Sequence, residues 1–289
     1  MSIKQIISNM CQQKGLTKQN SDILGNGAEQ SYNEFAHLLD TDYVKKFSSN
    51  LEQQFDQLVE LGFVKTFSKQ GLKLTHPSNA GLDNFLPSEN AWFEYKNLRK
   101  GQENVIVNEN DFKARITNGI SKKIFKINED IEKGRISKNQ PVILCFSYPL
   151  LVDSSMDFLK RNRIDTKCMP IEFSCLCDEP FKKLPNKDIF PRYFLDIKCK
   201  CSHDGITKDC DTTYVSAAIF SETITNKVFE EVIQDYTWDN DLIVIHNPNA
   251  RNPIKHGFIK DCWQEYTVTK NRIKDGYFIT CKEKHKSRI

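Results

Sequence analysis

The sequence predicts a mixed α/β (α+β) fold whose core has the order helix, strand, strand, strand, helix, strand (αβββαβ), followed by a second mixed α/β lobe. Two long stretches repeat apolar residues every three or four positions, and short apolar stretches lie between turn residues. A continuous apolar run at 142–146 is typical of a strand buried on both faces. The 289 residues are 39% hydrophobic and 27% charged, which excludes disordered, collagen-like and coiled-coil architectures.

The N-terminal half contains the elements of the predicted core. Gly25-Asn26-Gly27 predicts a turn after a short leading helix. Apolar residues from 42 to 61 have helical spacing, and Gly62 predicts the end of that helix. A second helix is expected at 111–133, with isoleucines along one face. Short strands are expected at 63–67, 72–74, 82–86, 91–95 and 142–146.

These elements divide the chain into an N-terminal helical appendage (1–40), a core (41–150) and a C-terminal mixed lobe (151–289) with a cysteine-rich hairpin and a basic tail. The lobe has a less regular pattern. We expect helices near 154–161 and 224–234, and strands near 169–175, 190–198, 242–246, 264–269 and 277–281.

Apolar runs are too short for a membrane span, which needs about 18 residues. The N-terminus also lacks the apolar segment of a signal peptide, so we expect a cytoplasmic protein with no membrane partner. Its net charge of +3 is unevenly distributed: residues 95–136 hold 10 Lys/Arg against 6 Asp/Glu, and residues 251–289 hold 10 against 4. These segments are candidate phosphate contacts, although a solvated basic helix and a charged tail would give the same counts.

Two carboxylates and a lysine lie on neighbouring predicted strands. Glu94 and Lys96 are two residues apart, so on a strand they share a face, beside Asp83 on the preceding strand. Carboxylates bind Mg²⁺ or Mn²⁺, and a lysine orients or stabilises an attacking hydroxide. We therefore expect Asp83, Glu94 and Lys96 to form a phosphodiesterase site. The alternative is a solvent-facing ion pair on an edge strand.

This region resembles the PD-(D/E)xK, or restriction-endonuclease-like, nuclease superfamily, and is similar to a branch of uncharacterised bacterial proteins. The resemblance covers residues 42–148, about a third of the chain. Its motifs are at 47–52, 82–85, 92–94, 115–120 and 142–146. Leu82 stands where the branch has proline, and Asn84 is inserted before Phe85.

The resemblance implies a metal-dependent endonuclease that hydrolyses DNA rather than RNA, in restriction or phage defence. Glu52 would be a further, helix-borne metal ligand beside Asp83 and Glu94. Cleavage of both strands of a duplex commonly uses two active sites, so a homodimer is expected. The nucleic acid would be held by Arg99, Lys100, Lys113, Arg115 and Arg251. For Arg251, which lies in an Asn/Pro-rich loop, a structural turn is the alternative.

A second motif has almost the same spacing. It combines Asp188 with Asp196 and Lys198, which end another apolar stretch. A polar, cysteine-bearing hairpin follows where the motif requires a helix, and this disfavours the second motif as the active site.

Ten cysteines are many for a chain without a secretion signal, and in a reducing compartment they are free thiols or metal ligands. Cys175 and Cys177, like Cys199 and Cys201, are two residues apart, so two strands would present four sulfurs on one side. A structural Zn²⁺ site is thus the alternative to buried free thiols. The second functional hypothesis follows: a non-catalytic module, with a degenerate nuclease fold or a zinc site, that binds nucleic acid or a protein.

Overall fold

A computed structural model describes residues 1–77, 81–98, 109–148, 197–233, 241–270 and 277–282. Within these ranges seven strands form one mixed sheet with helices on both faces, an α+β architecture. The helices are α1 (Ile3–Gln13), α2 (Lys18–Phe35), α3 (Tyr43–Phe47), α4 (Leu51–Lys69) and α5 (Glu109–Glu132). The strands are β1 (Asn84–Leu86), β2 (Ala91–Asn97), β3 (Val142–Ser147), β4 (Lys198–His203), β5 (Ile206–Asp211), β6 (Val215–Ser221), β7 (Ile243–His246), β8 (Gln264–Lys270) and β9 (Tyr277–Lys282).

The sheet has the order β1-β2-β3-β6-β7-β8-β9. β1 is antiparallel to β2, whereas β2, β3 and β6 are parallel neighbours. β7 is antiparallel to β6 and parallel to β8, and β9 returns antiparallel to β8. Strands from the predicted core and from the predicted C-terminal lobe therefore belong to one sheet.

Two apolar layers cover the sheet. On one face α4 packs on β2, where Phe63 stacks on Tyr95 with ring centroids 5.5 Å apart. On the other face the buried isoleucines of α5 pack on β3 and β6. The β4–β5 hairpin lies on α5, because the side chain of Asn128 pairs with both backbone groups of Asp211 at 2.8 and 3.0 Å. Alternate residues of β2 thus face different helices.

The region around α4 differs from the sequence prediction. Asn50 caps α4 by accepting from the backbone N–H of Gln53 at 2.9 Å, so the predicted helix at 42–61 is split into α3 and α4. The strand predicted at 63–67 is instead the buried end of α4, and no strand forms at 72–74. A short run that is buried on every side has no periodicity by which to distinguish helix from strand. The elements from α4 to β3 therefore have the order helix, strand, strand, helix, strand. In place of a third strand there is an isolated bridge between Thr75 and Phe85.

The turn predicted at Gly25-Asn26-Gly27 is also wrong, because these residues lie inside α2. A Cβ at Gly25 would lie 2.7 Å from the carbonyl oxygen of Lys4. This glycine therefore allows α1 and α2 to approach closely, and does not interrupt the helix.

Several of the remaining elements follow the prediction, although no strand was predicted at the central position of β6. Both strands around Asp83 and Glu94, the second helix, the buried strand after it and the last two strands are confirmed as β1, β2, α5, β3, β8 and β9. The helix predicted near 224–234 is a short 3-10 helix, Ile224–Phe229. The elements predicted at 154–161 and 169–175, and almost all of 190–198, lie outside the described residues. In the part of the chain that the structure describes, no helix is long and apolar enough to cross a membrane.

Gly62, which was expected to end α4, instead lies in its middle and faces the backbone of Ile224, where an added Cβ would collide with the carbonyl group. We expect Gly62→Ala to lower the free energy of unfolding by about 1–3 kcal/mol, because overpacking outweighs the gain in helix propensity. Gly119→Ala in α5 is the matched control, since its Cβ would meet only the movable Leu98 Cδ2, at 2.6 Å. Urea unfolding of both variants tests this, and equal changes in stability would contradict the packing argument.

Candidate active site

A cavity of about 380 Å³ opens at the edge of the sheet, beside the end of β2. Its walls come from α4, the segment before β1, the end of β2 and α5. Both signs of charge line it: the acidic residues are Asp40, Asp56, Glu60 and Asp83, and the basic residues are Lys46, Lys96, Lys123 and Lys126.

Asp83 lies immediately before β1. Its backbone N–H donates to the carbonyl of Phe93 at 3.1 Å, which extends the β1–β2 pairing by one residue. Its carboxylate Oδ2 accepts from the backbone N–H of Tyr95 at 2.6 Å. The side chain therefore lies across the edge of β2.

Glu94 is fully buried on the face of β2 that packs against α5. Its Oε1 accepts from the ammonium groups of Lys123 and, at 3.1 Å, Lys126. Its Oε2 is buried and has no hydrogen-bond partner among the described residues. One oxygen of this carboxylate is therefore neutralised by two lysines, while the other is a buried acceptor without a hydrogen-bond donor among the described residues.

Glu60, on α4, also lines the cavity. Burial and the negative charge of Asp83 hold the pKa of Glu60 well above its usual range. Burial and the charge of Glu94 likewise raise the pKa of Asp83 to about 6. For Glu94, burial would raise the pKa, but Lys123 and Lys126 outweigh it and lower the pKa. The three carboxylates thus interact electrostatically with one another. Lys123 and Lys126 favour the ionised form of Glu94, whereas the pKa values of Asp83 and Glu60 are raised.

Lys96 follows Glu94 at the same face of β2 and lines the cavity. The structure therefore brings Asp83, Glu94 and Lys96 together at the end of one strand. Sequence reasoning missed Glu60, Lys123 and Lys126. A signal for the two lysines existed, because they are three residues apart on α5, next to its buried isoleucines.

Glu52 does not reach this cavity. It is exposed in the first turn of α4, two turns before Glu60, which at about 1.5 Å per residue places it about 12 Å away along the axis. Glu52, Asp56 and Glu60 form one stripe at i, i+4 and i+8, and only the two later residues lie beside the sheet edge. The helix-borne acid at the cavity is therefore Glu60, with Asp56 next to it.

Of the residues predicted to contact nucleic acid, Arg251 is the one whose side chain falls in the described part of the chain. It does not line the cavity. Its guanidinium donates to Asp211 at 2.5 Å and to Thr213 Oγ1 at 2.9 Å, and it lies 4.6 Å from the ring centre of Tyr214. Arg99 and Lys100 lie outside the described residues, and for Lys113 and Arg115 only the backbone of α5 is described.

The cysteine hairpin lies on α5. Cys199 and Cys201 share a face of β4, with their sulfurs 2.9 Å apart, and Cys210 is opposite Cys199 on β5. The hydrogen bond to Cys199 raises the pKa of Cys201 to about 12, so this thiol is protonated at neutral pH. Cys175 and Cys177, the other half of the predicted zinc site, lie outside the described residues.

Most of the second Asp-x-Lys motif also lies outside the described residues. Asp188 and Asp196 are outside the described residues. Lys198 is exposed at the start of β4, which pairs with β5 in a separate two-stranded sheet. Lys198 is therefore not on the main sheet that carries Glu94.

No protein-family model, curated protein or solved structure matches this chain. The residues of the site are therefore the basis for a functional proposal. Oxygen donors from Asp83, Glu94 and Glu60 are the ligands that Mg²⁺ and Mn²⁺ prefer. The buried, unpartnered Oε2 of Glu94 fits such an ion, because a cation would supply its missing partner.

We expect Asp83→Asn to stabilise the protein in the presence of a chelator. Asparagine can still accept from Tyr95 but carries no charge next to Glu94 and Glu60. A pKa near 6, against 3.8 when unperturbed, corresponds to a gain of about 3 kcal/mol at neutral pH. The gain is complete above pH 6 and shrinks as the pH falls from 6 to 4, because Asp83 then takes up a proton in the folded wild type.

Urea unfolding at pH 7.5 and pH 4.5 measures this effect. Glu89→Gln is the control, because Glu89 is an exposed acid on the turn between β1 and β2. An Asp83→Asn protein that is no more stable than wild type at pH 7.5 would show that the carboxylates do not repel one another.

Proposed function

We propose that this protein is a Mg²⁺- or Mn²⁺-dependent endonuclease that hydrolyses DNA phosphodiester bonds, with restriction or phage defence as its setting. One observation supports the proposal most strongly. Asp83, Glu60 and Lys96 line one cavity of about 380 Å³, and the charge of the neighbouring buried Glu94 helps to raise the pKa of Asp83.

The order of the elements around the cavity agrees with a restriction-endonuclease-like core. The helix α4 precedes the antiparallel pair β1–β2, and α5 connects β2 to its parallel neighbour β3. The first of the three expected strands is represented only by the bridge between Thr75 and Phe85. This order of elements supports the proposal.

The chemistry assigned to each residue follows from its position. Asp83 and Glu94, with Glu60 from α4, would hold the metal, which when bound lowers the pKa of water and neutralises phosphate charge. Lys96, on the same face as Glu94, would orient the attacking water or hydroxide. Lys123 and Lys126 hold Glu94 ionised and add positive charge to the wall that a phosphate would approach.

Supercoiled plasmid incubated with Mg²⁺ or Mn²⁺ tests the proposal. We expect the wild type to nick and linearise the plasmid, and Asp83→Asn and Lys96→Ala to be at least 100-fold slower, because each loses a group at the reacting phosphate. Lys73→Ala is the matched control: Lys73 is an exposed lysine that does not line the cavity, so cleavage should continue.

Plasmid left intact by the folded wild type would overturn the proposal. Equal cutting by wild type, Asp83→Asn and Lys96→Ala would also overturn it, by showing that the activity belongs elsewhere. Gel filtration of the same samples would test for the expected homodimer, which would supply a second active site for the other strand.

A second candidate is a non-catalytic nucleic-acid-binding module. The observation that favours it is the double ion pair on Glu94, because Lys123 and Lys126 occupy one carboxylate oxygen that a metal would otherwise use. This candidate predicts that the wild type shifts labelled DNA in a gel, with or without Mg²⁺, and leaves it uncut.

A further inference from the structure

Two histidines and a glutamate meet far from the proposed active site. His246 ends β7, Glu265 lies on the parallel strand β8, and His256 lies in the segment between them. β3 and β6 separate β7 from β2, which at about 4.8 Å per strand places β7 roughly 14 Å from β2. None of the three side chains lines the cavity beside β2.

The donor atoms of these residues are close enough to share one ion. All three ligand atoms lie within 4.8 Å of one another. Glu265 Oε1 is 2.7 Å from His246 Nε2 and 3.5 Å from His256 Nδ1. Ligand atoms bound tetrahedrally to one ion at 2.0–2.2 Å are roughly 3.3 Å apart. The distance from Glu265 to His246 is shorter than this value, and the distance from Glu265 to His256 is slightly longer.

Surrounding hydrogen bonds already orient two of the three ligands. The backbone N–H of Gly257 donates to both oxygens of Glu265, at 3.0 and 3.1 Å. Thr267 Oγ1 lies 3.0 Å from Nε2 of His256, the nitrogen that faces away from Glu265. Partners of this kind fix ring orientation in metal sites. The Thr267 contact therefore aims Nδ1 of His256 at the carboxylate.

Burial differs among the three ligands in a way that suits a site with access to solvent. His246 and Glu265 are buried, whereas His256 is exposed. A metal would enter from the His256 side. Two imidazole nitrogens and one carboxylate oxygen are a ligand set typical of zinc, and such three-residue sites leave a further position for water or another ligand.

We propose that His246, His256 and Glu265 bind one divalent transition-metal ion, with Zn²⁺ as the expected ion. The ion would connect β7, β8 and the segment between them, and it would keep one open coordination position on the His256 side. The proposal is independent of the nuclease proposal, because it uses other residues and requires no catalytic activity.

Metal titration of the full-length chain tests this site. Wild type, His256→Ala and His37→Ala are stripped of metal and titrated with Zn²⁺ alone by calorimetry, and then with Co²⁺ alone by visible absorption. His37 is an exposed histidine outside the cluster and serves as the matched control. We expect wild type and His37→Ala to bind one equivalent of Zn²⁺ more than His256→Ala, or to bind that equivalent at least tenfold more tightly.

The comparison separates this site from other ligands in the chain, because the cysteines and the acidic cavity are the same in all three proteins. Glu265→Gln, checked for folding by circular dichroism, is a second variant and should lose the same equivalent. Equal Zn²⁺ stoichiometry and affinity in wild type and His256→Ala would overturn the proposal. So would a Co²⁺ spectrum that His256→Ala leaves unchanged.

Discussion

The ion pairs of Glu94 with Lys123 and Lys126 join β2 to α5, two of the elements that form the candidate site. A buried carboxylate is costly unless charged partners accompany it, and here both partners come from α5. The pairing therefore fixes α5 against β2, which places Lys96 and Asp83 in one cavity with the two lysines of α5. Removing the charge of Glu94 would also deprive Lys123 and Lys126 of their carboxylate partner, so both lysines would have to rearrange.

Repulsion between carboxylates is concentrated around the cavity beside β2. Glu60 and Asp83 have raised pKa values because they are buried near other acids. The aromatic layer between α4 and β2 offsets this cost, since Phe63 stacks on Tyr95 and Phe67 packs at a tilt against Phe93. Proteins commonly place such electrostatic strain where a ligand is to bind, and a cation is the ligand that would relieve it here.

Sequence patterns predicted the parts of the site that depend on local periodicity. The two-residue spacing of Glu94 and Lys96 and the isoleucine face of α5 followed directly from strand and helix geometry. The end of α4 could not be predicted, because residues 63–67 are buried on every side and Gly62 serves close packing. Glu52 was expected from the resemblance of residues 47–52 to the family's helix motif, whereas the helix-borne acid that lines the cavity, Glu60, is two turns further along α4. The His246–Glu265 cluster depends on strand pairing, which the sequence does not reveal.

The carboxylates beside β2 are proposed to form a divalent-cation site. Anomalous diffraction from crystals soaked in millimolar Mn²⁺ tests this proposal most directly, because the signal locates the ion without reference to activity. We expect a manganese peak bonded to oxygens of Asp83 and Glu94, on the cavity side of β2. A well-ordered cavity without a manganese peak, with Lys123 and Lys126 still on Glu94, would contradict the proposal.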